Sequence, residues 1–171
     1  MSADLRFSTA TMKNAEEIEE FMHAEFGPRE PITVSLNPSK SDLSDFFHDL
    51  SYSGYSNEKY STIVHQGERL IGICLCSVST HDDSKEATSS QVHAANDNYL
   101  DEISKGPYKQ HKANQLTAYV SAIERGLHRL PGHFTKCLKI DIICVADEAK
   151  GRGLGKGVNQ EGYQRRPIRG V

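Results

Sequence analysis

The most constraining feature of this sequence is an apolar segment that leads directly into a run of glycines and basic residues. The segment Phe134–Val145 has the length and composition of a β-strand. It precedes Lys150-Gly-Arg-Gly-Leu-Gly-Lys-Gly157. Glycines let a backbone come close to a phosphate group, and backbone N–H groups at the start of a helix attract anions. The pattern predicts a strand, an anion-binding turn and a helix start, with added positive charge from Lys150, Arg152 and Lys156.

Two common nucleotide-binding motifs do not match this glycine-rich segment. A Walker-type phosphate loop needs a glycine where Lys150 stands and a Ser or Thr where Gly157 stands. The dinucleotide fingerprint G-x-G-x-x-G, started at Gly151, requires a third glycine at the position of Lys156. A flexible, glycine-rich surface turn stays open as a purely structural interpretation of the same residues.

The remaining hydrophobic periodicity predicts one domain in which strands and helices are mixed. The expected elements are a strand at Leu5–Ser8, helices at Asn14–Phe26 and Ser41–Leu50, strands at Tyr60–His65 and Leu70–Ser79, and a helical stretch at Tyr99–Leu130 that is broken at Gly106-Pro107 and clearest at Leu116, Val120, Ile123 and Leu127. Ser39 or Ser41 can cap the second helix. The Leu70–Ser79 segment is apolar on both faces, which predicts a central strand. The polar stretch His81–Val92 is expected to be a loop.

Composition excludes several classes of protein. The chain has 171 residues and a net charge of -3, with 20 basic against 23 acidic residues, so it lacks the basic excess of a typical nucleic-acid binder. No apolar stretch is long enough to cross a bilayer, and the N-terminal residues do not have the pattern expected of a signal peptide. The eight histidines show no metal-ligand spacing. We therefore expect a cytoplasmic protein with reduced cysteines and no metal, nucleic acid or membrane partner.

Two motifs resemble those of a known family. The segment Lys150–Gly155, after the strand, resembles motif A of the GNAT superfamily of acetyltransferases, [RQ]-x-x-G-x-[GA], with lysine in place of Arg or Gln. Lysine keeps the charge but lacks the planar guanidinium. Glu30-Pro31-Ile32, with Ser35-Leu36 downstream, resembles the E-P-[LI]…S-L segment of the invertebrate arylalkylamine (dopamine-type) N-acetyltransferases. The order of elements up to about Val158 also agrees with that family.

The resemblance implies a fold, a donor and a set of site residues. The implied fold is α/β (α+β), with a mixed, mostly antiparallel central sheet flanked by helices. The implied acyl donor is acetyl-CoA, and the implied acceptor is a small primary amine. The residues matched to donor binding are Ile143, Cys144, Val145, Lys150, Gly151, Arg152, Gly153, Leu154 and Gly155.

The same resemblance implies direct acyl transfer with Glu30 as the general base, which removes a proton from the substrate ammonium directly or through water. Serine hydroxyls that the insect enzymes often carry at two positions are replaced here by Cys144 and Glu148. Cys144 lies among apolar neighbours, which disfavours a nucleophilic thiolate. Tyr52, Tyr55 and Tyr60 could hold an aromatic amine, although core packing is the more common role of such residues.

Beyond Val158 the apolar residues show no helical spacing, and Gly162 and Pro167 would break a helix there. We therefore expect an incomplete N-acetyltransferase domain at residues 1–158 and an irregular basic tail at 159–171, with the C-terminal strands missing and activity impaired by the truncation. An alternative is a non-catalytic remnant or interaction module. The strand at Ile140–Val145 would then expose an unpaired edge, through which the chain could associate.

Overall fold

The computed structural model describes residues 4–57, 59–80, 99–124 and 136–158. Their elements are β1 (Leu5–Thr9), a 3₁₀ turn (Met12–Asn14), α1 (Ala15–Phe21) with a π-helical continuation (Met22–Phe26), α2 (Pro31–Leu36), α3 (Lys40–Ser56), β2 (Thr62–Gln66), β3 (Arg69–Thr80), α4 (Tyr99–Ser104), α5 (His111–Glu124), β4 (Lys136–Val145) and a 3₁₀ turn (Asp147–Ala149). Residues 154–158 are helical. The predicted loop at 81–92, Leu127 and the tail at 159–171 lie outside the described residues.

The four described strands form one sheet in the order β1-β2-β3-β4, and every neighbouring pair is antiparallel. β2 and β3 are joined by a tight turn in which Gly67 has a φ of 63°, a left-handed value that glycine adopts without strain. β3 lies between β2 and β4, as its continuous apolar sequence predicts. The predicted mixed fold with an antiparallel sheet and flanking helices is confirmed.

The core forms where α1 and α3 pack on the sheet. Ile18, Phe47 and Leu75 are fully buried there, and their apolar side chains supply the main driving force for packing these layers together. α3 begins at the predicted cap, since Ser39 accepts a hydrogen bond from the Asp42 backbone N–H and Asp42 accepts one from Ser39 N–H. This reciprocal capping box satisfies two backbone donors at the start of the helix.

The first two predicted helices differ in detail from the structure. The segment expected as one helix over 14–26 changes to π-helical pairing at Met22, and the Gly27 N–H donates to Met22 O at 2.8 Å. α3 continues to Ser56, past the predicted end at Leu50. Its last two turns carry little hydrophobic periodicity, but Gly54 and Tyr55 are buried against the sheet, so tertiary packing extends the helix.

The helical insertion breaks where the sequence predicts. Gly106 lies between α4 and α5, and a Cβ there would meet the Asn114 side chain at 2.3 Å. The Asn114 amide closes the loop, because Oδ1 accepts from Tyr108 N–H and Nδ2 donates to Tyr108 O, both at 2.9 Å. Leu116 faces the core, whereas Val120 and Ile123 are substantially exposed, so only part of the predicted apolar face is buried.

β4 is the edge strand of the described sheet. Its register with β3 skips Asp141, which is a β-bulge residue between the pairs Leu75↔Ile142 and Cys76↔Ile140. Ile143 is 45% exposed on this strand. Association through this edge, and the domain boundary at residue 158, stay predictions. None of the helices in the described part of the chain combines the length and hydrophobicity needed to cross a membrane.

Candidate active site

The glycine-rich segment forms a loop that leads from the end of β4 into a helix. Gly151 and Gly153 both have a φ of 75°, a conformation that side chains with a Cβ adopt only with strain. Apart from the chain neighbours of each glycine, no atom of the described residues lies within 4 Å of the Cβ position at either one, which leaves space for a ligand. Leu154 and Val158 are buried and hold the helix start on the sheet. The positive φ explains glycine at 151 and 153, and the open space lets a ligand approach the backbone.

The first backbone N–H groups of this helix precede its first intrahelical hydrogen bond. The Gly157 N–H donates to Gly153 O at 3.1 Å, which is the first turn of the helix. The N–H groups of Leu154, Gly155 and Lys156 come before that bond and have no partner within the helix. This arrangement fits an anionic group such as a pyrophosphate.

The basic side chains around the loop are partly engaged with the protein. Lys150 forms an ion pair with Asp147, and Arg152 Nη1 donates to Gln66 Oε1 at 3.0 Å, which ties the loop to the end of β2. Lys156 is exposed. Lys150 and Arg152 are thus held close to the loop. An anionic ligand would compete with Asp147 for Lys150 and with Gln66 for Arg152.

The outer edge of β4 supplies backbone groups beside the loop. The Ala146 N–H donates to Ile71 O at 2.8 Å, so Ala146 faces β3. Backbone direction alternates along an antiparallel strand, so Cys144 also faces β3, while Ile143 and Val145 direct their N–H and C=O groups outward. Of the three predicted donor-binding residues of β4, Ile143 and Val145 therefore present outward polar groups next to the glycine loop, whereas the backbone of Cys144 is paired with β3.

Glu30 has a structural role that the sequence did not show. It is the N-cap of α2, and its Oε2 accepts a hydrogen bond from Thr33 N–H at 2.6 Å, with Pro31 in the first helical position. This arrangement is favourable because proline needs no N–H partner there. The carboxylate is half-buried, and among the described residues Oε1 makes no hydrogen bond or ion pair. One oxygen therefore remains for a proton-transfer partner.

Arg29 joins the turn that carries Glu30 to the end of β4. Its Nη2 donates to Val145 O at 3.2 Å and to Glu25 Oε2 at 2.7 Å, and its Nη1 donates to Asp147 Oδ1 at 3.0 Å. Glu25 Oε2 also accepts from the Asp147 backbone N–H at 3.2 Å. The structure thus brings the predicted base and the predicted donor edge to the same end of the sheet.

The acidic residues after β4 are neutralised by this network. Glu148, predicted to replace a serine near the donor phosphates, forms an ion pair with Arg69 at 2.6 Å. Lys150, and to a smaller degree Arg29, hold the pKa of Asp147 below its usual range. Asp147 therefore stays ionised, and the charges of Asp147 and Glu148 are matched by neighbouring cations.

Cys144 is half-buried beside Arg29, whose Nη2 lies 3.8 Å from the sulfur. Burial raises the pKa of the Cys144 thiol, and the positive charge of Arg29 only partly opposes that effect. Such a thiol stays protonated at neutral pH, which agrees with the prediction that Cys144 is not a covalent nucleophile. In the described part of the chain, no three or more His, Cys, Asp or Glu residues are grouped as a metal site would require.

One cavity lies at each end of α3. One, of ≈360 Å³, lies beside α2 and is lined by Thr33, Lys40 and His23, with no carboxylate among its described lining residues. The positive charge of Lys40, without a carboxylate to match it in this lining, suits an ammonium ion poorly. The other, of ≈650 Å³, is lined by Tyr52, Tyr55, Tyr60 and Met12. The 17 residues of α3 span roughly 25 Å, so the tyrosine cavity lies at the far end of the helix from the Glu30 turn.

Proteins of known structure share the fold of this chain. No protein-family model and no curated protein matches the sequence. Solved structures of GNAT N-acetyltransferases share the fold. Arylalkylamine N-acetyltransferase 2 from Aedes aegypti has a TM-score of 0.70 at 16% identity, covering 98% of this chain and 73% of that chain. A mosquito arylalkylamine N-acetyltransferase like 5b has a TM-score of 0.63 at 18% identity, and the match covers 94% of this chain and 70% of that chain.

A third similar structure is the Drosophila melanogaster polyamine N-acetyltransferase, an enzyme that forms N-acetylagmatine. It has a TM-score of 0.60 at 19% identity and covers 95% of this chain and 70% of that chain. At these identities the likeness establishes the fold alone, and this fold is the one that the GNAT resemblance implies. The activity of this chain must be argued from its own residues.

Proposed function

We propose that this chain is an acetyl-CoA-dependent N-acetyltransferase that acts on a small primary amine of the arylalkylamine type. The observation that supports it best is the convergence of three features at one end of the sheet. These are the outward edge of β4 at Ile143–Val145, the open glycine loop at 150–155 and the turn that carries Glu30. They occur in a fold shared with amine N-acetyltransferases.

The donor-binding part of the proposal uses backbone groups. The outward N–H and C=O groups of Ile143 and the N–H of Val145 would pair with the amide-bearing arm of acetyl-CoA, while the Val145 C=O is held by Arg29. The N–H groups at 154–156, which have no partner within the described part of the helix, would hold its pyrophosphate with Lys150 and Arg152 nearby. Bound acetyl-CoA supplies an acetyl thioester, and an outward N–H of β4 would polarise its carbonyl oxygen.

The acid–base part of the proposal assigns the base to Glu30. Alkylamines are protonated at neutral pH and become nucleophilic only after losing a proton. The Thr33 N–H holds Glu30 Oε2, which leaves Oε1 to accept that proton directly or through water. The amine nitrogen then bonds to the acetyl carbon as the carbon–sulfur bond breaks, and the thiolate formed takes up a proton.

The first test is acetyl-CoA binding by titration calorimetry on the purified 171-residue chain. Gly153→Glu places a bulky anion in the open loop and should weaken binding by at least ~10-fold, because it repels the phosphates and strains a positive-φ position. Ser44→Glu adds the same charge on the exposed face of α3 and serves as the matched control. Its affinity should equal that of the wild type.

The second test is turnover of a panel of arylalkylamines and polyamines, followed by release of free CoA thiol. Acetylation of at least one arylalkylamine is expected. If the folded chain binds no acetyl-CoA and acetylates no amine, the proposed activity is wrong. The alternative of a non-catalytic module with an acetyltransferase fold would then be favoured.

A further inference from the structure

We propose that Arg29 is a positioning residue, which braces the Glu30 turn against the acyl-donor edge of β4 and thereby sets the distance between base and donor. This inference rests on the proposed function and adds to it a residue that neither motif contains. The brace links residues separated by 116 positions in the sequence, Arg29 and Val145.

The guanidinium of Arg29 uses all three of its nitrogens. Nε donates to the Glu25 backbone O at 2.6 Å and Nη2 to the Glu25 carboxylate, which anchors the arginine to the π-helical segment before the turn. Nη2 also reaches Val145 O, and Nη1 reaches Asp147, which anchors it to the end of β4. The side chain is 27% exposed, so these charge-assisted bonds are partly shielded from solvent.

The position of this brace matters because catalysis by Glu30 requires a defined geometry. A general base must lie within hydrogen-bond reach of its proton, directly or through one water, and the amine must meet the donor carbonyl at about 3–3.5 Å. Glu30 immediately follows Arg29, while the proposed donor edge includes Val145. A second bond between the neighbouring segments joins the Asp147 N–H to Glu25 Oε2 at 3.2 Å.

Lysine cannot reproduce the brace. A guanidinium is a planar fork with several donors in fixed directions, whereas an ammonium is a compact charge on a flexible stem. A lysine side chain at position 29 could contact Glu25, Asp147 or Val145 O in turn but could not hold all three in one geometry. Charge alone is therefore insufficient, and the conservative variant separates positioning from electrostatics.

The kinetic experiment compares Arg29→Gln, Arg29→Lys and Arg6→Gln. Arg6 is exposed on β1 and provides the control for loss of one positive charge. We expect Arg29→Gln to lower kcat by about 10- to 100-fold, Arg29→Lys to be intermediate and both to leave the KM for acetyl-CoA within about 2-fold. Arg6→Gln should match the wild type. Wild-type kcat in both Arg29 variants, or a loss confined to the KM for acetyl-CoA, overturns the proposal.

A second measurement tests the brace without any catalytic activity. In a Cys137→Ser background, the pH dependence of Cys144 alkylation reports the pKa of that thiol, because Cys74 and Cys76 are buried. The charged groups that act on Cys144 are Arg29, Glu25 and Lys150. Since Arg29 favours the thiolate, Arg29→Gln should move the midpoint of the alkylation rate to higher pH.

Each outcome of the titration decides between presence and absence of the brace. A midpoint that moves to lower pH would mean that the Glu30 turn has moved away from Cys144 and exposed the thiol. This result would also support the brace, because it shows that Arg29 holds the turn in place. An unchanged midpoint overturns the brace. If the wild-type chain acetylates no amine, the proposed function is refuted, and with it the catalytic purpose of Arg29, while the titration still decides whether Arg29 joins the turn to β4.

Discussion

Gly54 of α3 lies directly against Leu75 of β3, so closely that a Cβ at position 54 would stand 2.8 Å from Leu75 Cδ2 and 3.0 Å from Leu75 Cβ. Leu75 is fully buried and Gly54 is buried with it. The absence of a side chain at Gly54 therefore sets how closely the long helix approaches the central strand. This contact explains a glycine within a helix, where it lowers intrinsic helix stability.

Gly54→Ala should destabilise the protein because the new methyl group overlaps Leu75. Over-packing costs about 1–3 kcal/mol, and the higher helix propensity of alanine offsets up to ~1 kcal/mol of it, so we expect a net loss of about 1–2 kcal/mol in the free energy of unfolding. Urea denaturation followed by circular dichroism measures it. Ser44→Ala, on the exposed face of the same helix, is the control and should be neutral or slightly stabilising. An equally stable Gly54→Ala variant would contradict this packing.

Substitutions of Glu30 should separate its capping role from its proposed chemical role. Glu30→Gln keeps an oxygen that can accept from the Thr33 N–H, whereas Glu30→Ala removes the cap and should cost about 0.5–2 kcal/mol of stability. Both variants lack a base, so both should lower amine turnover at neutral pH by about 100-fold or more while acetyl-CoA binding is retained.

The measurements for Glu30 are urea denaturation, calorimetry and steady-state kinetics on the same preparations. Thermal scans confirm that each variant is folded before its activity is compared. Glu30→Gln with wild-type turnover would remove Glu30 from the mechanism and leave it as a helix cap alone.

Arg69 should protect donor binding by neutralising Glu148. Their ion pair, at 2.6 Å, lies next to the glycine loop. Arg69→Gln frees a negative charge near the proposed phosphate site and should weaken acetyl-CoA binding about 2- to 5-fold, the range expected of an exposed charge pair. Glu148→Gln should bind as well as or better than the wild type.

The double variant Arg69→Gln/Glu148→Gln should recover wild-type affinity, because it has no unpaired charge. Calorimetry at low and at high salt checks this, since salt screens the effect of Glu148. If Arg69→Gln weakens binding equally with and without Glu148, Arg69 acts in another way.

The free energy of unfolding should fall at low pH, partly because Asp42 becomes protonated. Hydrogen bonds from the Ser39 backbone N–H and side chain, with a smaller contribution from Lys112, lower the pKa of Asp42 in the folded state. A folded-state pKa below the unfolded value means that the contribution to stability is present at neutral pH and is lost as the pH falls through the folded-state pKa. Asp42→Asn removes that dependence.

Urea denaturation at pH 7 and at several values below pH 4 tests this prediction. The wild type should lose more stability than Asp42→Asn over that interval, and the variant should already be less stable at pH 7 because its capping box and its Lys112 ion pair are weakened. If the free energy of unfolding fell equally with pH in the two proteins, the assigned role of Asp42 would be contradicted.

The sequence by itself determined the features whose signals lie within a few residues. The cap at Ser39, the break near Gly106 and the strand–loop–helix order around Gly151 all appear where the residue types predict them. Caps, tight turns and glycine loops act through hydrogen bonds and dihedral preferences of neighbouring residues, so they are readable from sequence. The short helix α2 also has a local signal in Glu30-Pro31, although the elements predicted from periodicity do not include it.

Only the tertiary structure decided the features that depend on residues far apart in the chain. α3 runs to Ser56 because its last turns pack on β3, Glu148 is neutralised by Arg69, and the Glu30 turn meets β4 through Arg29 and Val145. None of these contacts has a local pattern, since each partner alone is an ordinary arginine, glutamate or backbone carbonyl. Which of them meet is set by the burial of the core that folds the sheet and helices together, and that depends on the whole chain.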